Sequence, residues 1–140
     1  MKRALLLLFC LVLPACVAMH RPAVAYVPPE EAAWFKLPYE LPEEGKETLP
    51  GAMAAAIQLA MDDYLPRDAN LPRDTTPREL CLHQRQAYDI QAAPLNEEVM
   101  LVRITTSPGA CQMGRLAAPS MGATYAVDTR NWRILAVRWP

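Results

Sequence analysis

Residues 84–93 and 98–106 carry apolar side chains at alternate positions, and a period of two places those side chains on one face of a strand. A strand with one apolar face must pair in a register that keeps the apolar faces together, so this pattern constrains the fold more than any other feature of the chain. Joining the two segments through Leu95-Asn96-Glu97 brings Tyr88 opposite Ile104, Ile90 opposite Val102 and Ala92 opposite Met100 on one face. On the other face Asp89 meets Arg103, an attractive cross-strand pair. Sliding by one residue would pair Tyr88 with Arg103 and Asp89 with Val102 and mix the faces. The favoured register also sets Cys81 opposite Cys111 at the open end of the hairpin, which predicts a disulfide.

A second pair of strand-like segments, 123–128 and 133–139, turns through Thr129-Arg130-Asn131, with Asn131 suited to the left-handed conformation such loops need. Tyr125, Val127, Leu135, Val137 and Trp139 are then expected to share a face. Upstream, residues 49–65 read as the main helix. Thr48 or Glu47 can begin it, Pro50 is tolerated in its first turn, and Ala52, Ala54, Ala55 and Ala56 favour the helical state. Met53, Ala56, Ile57, Ala60, Met61 and Tyr64 fall at three- and four-residue spacing and form one apolar stripe. The fold class expected is α+β: one main helix packed on a four-stranded antiparallel sheet built of two hairpins. Asp62 and Asp63 lie in the last turn, where the helix dipole disfavours negative charge by about 0.3–1 kcal/mol each. Arg67 or Arg73, in the proline-rich loop at 65–79, is expected to fold back onto them.

At the N-terminus, Lys2 and Arg3 precede an apolar block at residues 4–13. Even carried on to Ala18, the block is shorter than the roughly eighteen to twenty residues a helix needs to cross a bilayer. Basic residues, about ten apolar residues and a small residue before a cut make the pattern of an export signal over residues 1–15. Leu13-Pro14-Ala15-Cys16 abuts this block and resembles the lipobox of bacterial lipoproteins, with an aliphatic residue three before the Cys and a small residue directly before it. Pro14 departs from the small residue usual at the middle position. The resemblance covers the first sixteen residues and implies that the Cys16 thiol carries diacylglycerol and that Cys16 begins the mature chain. Since one acyl chain binds a membrane only marginally, acylation of the new amine would complete the anchor. Val17, in place of the Asp that marks inner-membrane retention in enterobacterial members, implies the outer membrane, facing the periplasm. Cys10 is then discarded and Cys16 lipidated, which leaves Cys81 and Cys111 to pair in an oxidising compartment. Closing their loop of about thirty residues is worth on the order of 3–4 kcal/mol in the chain-entropy model.

Removing the signal leaves 125 of the 140 residues, enough for one domain with a modest core. Twelve basic and fifteen acidic residues remain, a net charge of −3, which together with export argues against a nucleic-acid partner. Residues 16–48 are rich in Pro and Glu and read as an extended, semi-rigid tether ahead of an α+β domain at 49–140. Within the tether, Pro28, Pro29, Glu30 and Glu31 stand where a helix begins and Lys36 where one ends, which predicts a short helix near 29–36. Trp34, Phe35, Leu37 and Tyr39 form a candidate patch for docking another protein, weighed against their lying back on the domain to complete its core.

Residues 125–135 resemble the closing hairpin of PepSY-type periplasmic domains, with Trp132 where that pattern has Gly; the resemblance covers eleven residues and implies the same fold class. Catalytic groups are sparse. There are two histidines, one of them His20 in the tether, no serine-nucleophile motif, and five scattered glycines that draw no phosphate loop. Asp62-Asp63 and Glu97-Glu98 are adjacent along the chain, which turns the members of each pair away from each other. Cys81, His83 and Cys111 could hold a metal, but no fourth ligand accompanies them, and a disulfide beside an unrelated histidine is expected instead. No cofactor is expected. The function expected is that of a lipid-anchored, non-enzymatic envelope protein, attached to the membrane through Cys16 and acting as a binding or accessory module for another envelope protein. A small-ligand or metal-binding periplasmic lipoprotein is the alternative.

Overall fold

The alternation in residues 88–106 folds into a hairpin of β1 (Tyr88–Pro94) and β2 (Val99–Thr106). The structure, a computed structural model, describes residues 25–112 and 121–140; the signal segment and Cys16 lie outside the described residues. β3 (Gly122–Asp128) and β4 (Arg133–Arg138) follow, and the four strands form one antiparallel sheet in the order β1-β2-β3-β4. The main helix, α1 (Gly51–Tyr64), packs on one face of it. This is the α+β architecture expected from the patterning.

The faces of the first hairpin are as expected, but the register differs by two residues. Tyr88 faces Thr106, Ile90 faces Ile104 and Ala92 faces Val102, so Asp89 meets Thr105 and Arg103 meets Gln91. The Asp89–Arg103 pair therefore does not form, and Asp89 accepts a hydrogen bond from the Ser107 hydroxyl. A two-residue slide leaves every side chain on its own face, so hydrophobicity does not distinguish the two registers and the turn decides. Here Pro94 still pairs with Met100, the Leu95 N–H donates to the Val99 carbonyl at 2.8 Å, and the Glu98 N–H donates to the Asn96 side chain at 2.9 Å. The loop thus holds four residues where three were expected.

The second hairpin closes differently from its expectation as well. Asp128 is its organiser: one carboxylate oxygen accepts from the N–H groups of Arg130 and Asn131 at 2.9 and 3.2 Å, the other from the Asn131 amide and Arg133 Nε, both at 3.0 Å. These bonds, that of the Asn131 side chain foremost, hold the Asp128 carboxyl down to about 2. The residue with positive φ is Trp132, at 51°, and not Asn131. A bulge between Ala126 and Val127 then pairs Val127 with Ile134, so Ile134 and Val137 pack against the core while Leu135 is half exposed.

Met100, Val102 and Ile104 of β2 interleave with Ala123, Tyr125 and Val127 of β3 beneath Ala56, Ala60 and Met61 of α1. Full burial of Val102, Ile104 and Val127 is worth about 1.5–3 kcal/mol each. The small Ala56 and Ala60, both without exposed surface, let the helix lie close to the sheet. Pro50 serves as the N-cap and makes no side-chain capping bond, so the helix starts at Gly51, two residues later than expected. Gly122, at the start of β3, has no room for a side chain, since a Cβ there would stand 2.2 Å from the Ile104 carbonyl oxygen.

A second helix, α2 (Pro77–Leu82), lies where the sequence reads first as loop and then as strand. Thr76 and Glu79 form a capping box: the Glu79 N–H donates to the Thr76 hydroxyl and the Glu79 carboxylate accepts from the Thr76 N–H. The bond from the Thr76 side chain, ahead of that from its backbone, keeps the Glu79 carboxyl below its ordinary value. A short 3-10 turn, Arg85–Ala87, leads into β1.

The chain divides into two units, Met1–Trp34 and Phe35–Pro140. In the first, the described residues form short turns at 29–31 and 33–34, with the N–H groups of Glu31 and Ala32 donating to the Pro28 carbonyl at 3.0 and 3.1 Å. The helix expected near 29–36 does not form. Pro28 and Pro38 leave fewer residues between them than the roughly 12–15 an isolated helix needs to offset its nucleation cost.

Candidate functional site

The C-terminal end of α1 carries the Asp pair, and each acid has a structural partner. Asp62 receives Arg85 Nη2, with Arg67 Nε at 3.8 Å; Arg73, the other candidate, is not among its partners. The same Arg85 nitrogen donates to the Leu65 carbonyl at 2.9 Å, placing a cation at the helix C-terminus, where the dipole favours it. Asp63 accepts a hydrogen bond from the Tyr125 hydroxyl at 3.0 Å. Burial, then the bond to Asp63, raises the Tyr125 phenol above its ordinary value. Asp63 thus ties the helix to the sheet, and Asp62 ties it to the 3-10 turn before β1.

Cys81 and Cys111 are joined in a disulfide with Cα atoms 5.5 Å apart. The pairing is as expected; its setting is not. Cys81 lies in α2 and Cys111, at φ 56°, in the loop after β2, so the bond ties a helix to a loop and does not span a ladder. His83 is the C-cap of α2, so Cys81 and His83 do not alternate along a strand. With both sulfurs committed to each other, Cys81, His83 and Cys111 form no metal site, and among the described residues no group of three or more His, Cys, Asp or Glu side chains converges to hold an ion.

By anchoring α2, the disulfide shapes a groove of about 530 Å³ along one end of the sheet. Its walls are Tyr64 and Leu65 from the end of α1, Leu82 from α2, Tyr88 from the start of β1, and Trp139 with Pro140 beyond β4; Glu79 and His83 stand exposed beside it. The aromatic rings brace one another. Tyr64 meets Tyr88 edge-on at 5.2 Å and stacks with Trp139 at 6.0 Å, geometries that add about 0.5–1.5 kcal/mol each beyond the area buried. The Tyr88 hydroxyl donates to the Leu82 carbonyl at 2.7 Å, which pins the ring to α2. Burial, then Tyr64, raises the Tyr88 phenol above its ordinary value, so it stays a neutral donor at physiological pH. Trp139 nevertheless keeps 59 % of its surface exposed, so an indole face is open to a ligand.

Of the residues expected to form a docking patch, Phe35, Leu37 and Tyr39 do not complete the core of their own unit. Phe35, Leu37 and Tyr39 are 55 %, 84 % and 104 % exposed and Trp34 is 81 % exposed. The groove, by contrast, escaped the sequence reading. Tyr64 was visible as the end of the helical stripe and Trp139 as an apolar strand residue, but nothing local says that they meet. The Thr76-Pro77-Arg78-Glu79 capping signature was the one clue to α2, and thereby to the wall that α2 supplies.

No protein-family model matches the chain, and no curated protein and no solved structure is significantly similar to it.

Proposed function

We propose that this chain is a lipid-anchored, non-enzymatic binding module of the bacterial cell envelope, held at the outer membrane through diacylglycerol on Cys16 and facing the periplasm. It engages a segment of another envelope protein. The observation that carries the binding role is the groove of Tyr64, Leu82, Tyr88 and Trp139, apolar in its walls with a few polar groups beside it, as ligand sites commonly are. Its volume of about 530 Å³ suits one or two large side chains of an extended segment better than a whole helix. The carboxylate of Glu79, kept ionised by its capping bonds, favours a basic residue beside those apolar anchors. The anchor rests on Leu13-Pro14-Ala15-Cys16 and on a tether rich in proline, which gives the domain reach from the membrane.

A small apolar ligand in the same groove is the second reading, favoured by the pocket-like dimensions of the site. One experiment separates the two. A photo-crosslinking amino acid is placed at Leu82 or at Tyr64 in the full chain, expressed in a Gram-negative host, with Leu101 on the far face of the sheet as control. A discrete protein adduct from the groove positions, lost on introducing Trp139→Ala and not formed from position 101, supports the protein partner. A native mass exceeding chain plus lipid, without a protein adduct, supports the small ligand. Equal adducts from groove and control positions overturn both. The anchor is tested separately: Cys16→Ser is expected to abolish labelling by a radiolabelled fatty acid and to release the protein from membranes, and a Cys16→Ser variant that is still labelled and membrane-bound refutes it.

A further inference from the structure

On the face of the sheet opposite α1, one row crosses all four strands, with Gln91, Arg103, Thr124 and Arg138 as successive register partners. Thr124 separates the two arginines, whose backbones stand two strand spacings, about 10 Å, apart. Both arginines line a hollow of about 240 Å³ together with Thr124 and Trp139. Elsewhere in the fold arginine heads meet carboxylates: Arg67 and Arg85 on Asp62, Arg130 on Glu98, Arg133 on Asp128. All fifteen acidic residues are among the described residues, and none forms an ion pair with Arg103 or Arg138. Asp89, diagonal to Arg103 on the same face, is engaged by the Ser107 hydroxyl. Two guanidinium groups without a contact ion-pair partner thus border one hollow, where an anion could accept from both.

We propose that this hollow binds the oxyanion of a small ligand, a phosphate or carboxylate group. The forked donors of Arg103 and Arg138 match the oxygen geometry of either group, and the Thr124 hydroxyl stands between them in the same row. Trp139 borders the hollow as well, but its ring stacks on Tyr64 on the α1 side, so the recognition rests on the two arginines and Thr124. A polyanion is not the fitting partner. Residues 51–140 carry nine arginines against nine acids, so the domain has no net attraction for a nucleic acid or an anionic membrane, and the two-arginine hollow is a local feature.

Phenyl phosphate titrated into the full-length chain in detergent micelles, followed by the backbone amide resonances of Arg103, Thr124 and Arg138, tests the proposal. Saturable binding is expected, weakened about tenfold by Arg103→Gln or Arg138→Gln alone and lost in the double variant, but unchanged in Arg130→Gln. The three substituted side chains are exposed, and thermal melts confirm that the variants fold. Benzoate distinguishes the carboxylate from the phosphate, and saturable binding of either supports the site. Absence of saturation by both aromatic anions, or a double variant that binds as the unsubstituted chain does, overturns the proposal; the groove on the α1 side is tested by other residues and stands or falls separately.

Discussion

The hydroxyl of Tyr125, in the middle of β3 and without exposed surface, donates to the carboxylate of Asp63 in the last turn of α1 across 3.0 Å. One hydrogen bond thus joins the centre of the sheet to the helix end. It also gives an acid at an unfavourable dipole position a reason to be there.

Tyr125→Phe removes the donor while preserving the packed ring. Because Asp63 is exposed and regains water, the loss is expected at the lower end of the range for charged hydrogen bonds, about 1–2 kcal/mol. Urea denaturation should show a lower midpoint with an unchanged slope. A midpoint equal to that of the unsubstituted protein would mean that the bond contributes nothing net.

Tyr88 and Tyr125 both hold their protons more tightly in the folded state than an exposed phenol does. A folded-state pKa above the unfolded one stabilises fully below the unfolded value, about 10 for tyrosine, and that stabilisation is lost as pH rises through the interval above it. The melting temperature is therefore expected to fall steeply above about pH 10. Phenolate absorbance should show the Tyr88 and Tyr125 phenols ionising only as the protein unfolds. Ionisation of Tyr88 and Tyr125 ahead of the unfolding transition would count against their burial.

Replacing Cys81 and Cys111 together by Ala releases α2 from the loop after β2. The expected cost is about 2–4 kcal/mol by chemical denaturation, the range usual for a native disulfide. A more local consequence distinguishes the setting found here from a bond across a ladder: amide exchange should accelerate in α2 and at Leu82 before it does in β1 and β2. Uniform acceleration through the hairpin would contradict that.

Trp132 holds a left-handed backbone conformation, φ 51°, that a glycine adopts without steric cost. Trp132 is 44 % exposed, so it has moderate packing to lose, and Trp132→Gly is expected to raise stability by up to about 1 kcal/mol. Trp132→Val, with a β-branched side chain in the same conformation, should do the opposite. The pair of melting curves reads both, and a Val variant as stable as the Gly variant would show that strain at this position is not what matters.

The sheet and the main helix are legible in the sequence for a common reason. Met53, Ala56, Ile57, Ala60, Met61 and Tyr64 repeat at helical spacing, and Tyr88, Ile90 and Ala92 at strand spacing. Such periods are properties of short stretches of backbone. α2 was missed because its apolar residues are few and its capping box lies in a run of prolines that reads as loop.

Local chemistry by itself determined which residues face the core: Val102 and Ile104 inward, Arg103 outward, whatever the exact pairing. It also pointed to Cys81 and Cys111 as a pair, and the two are joined. Only tertiary structure decided the two-residue register, since both registers bury the same side chains and only the turn at Leu95 to Val99 tells them apart. Tertiary structure likewise decided that Arg85, rather than Arg73, meets Asp62, and that Tyr64, Tyr88 and Trp139 converge on one groove. These are contacts between segments remote in the chain, set by how a helix of fixed length lies across a twisted sheet, and no local period encodes them.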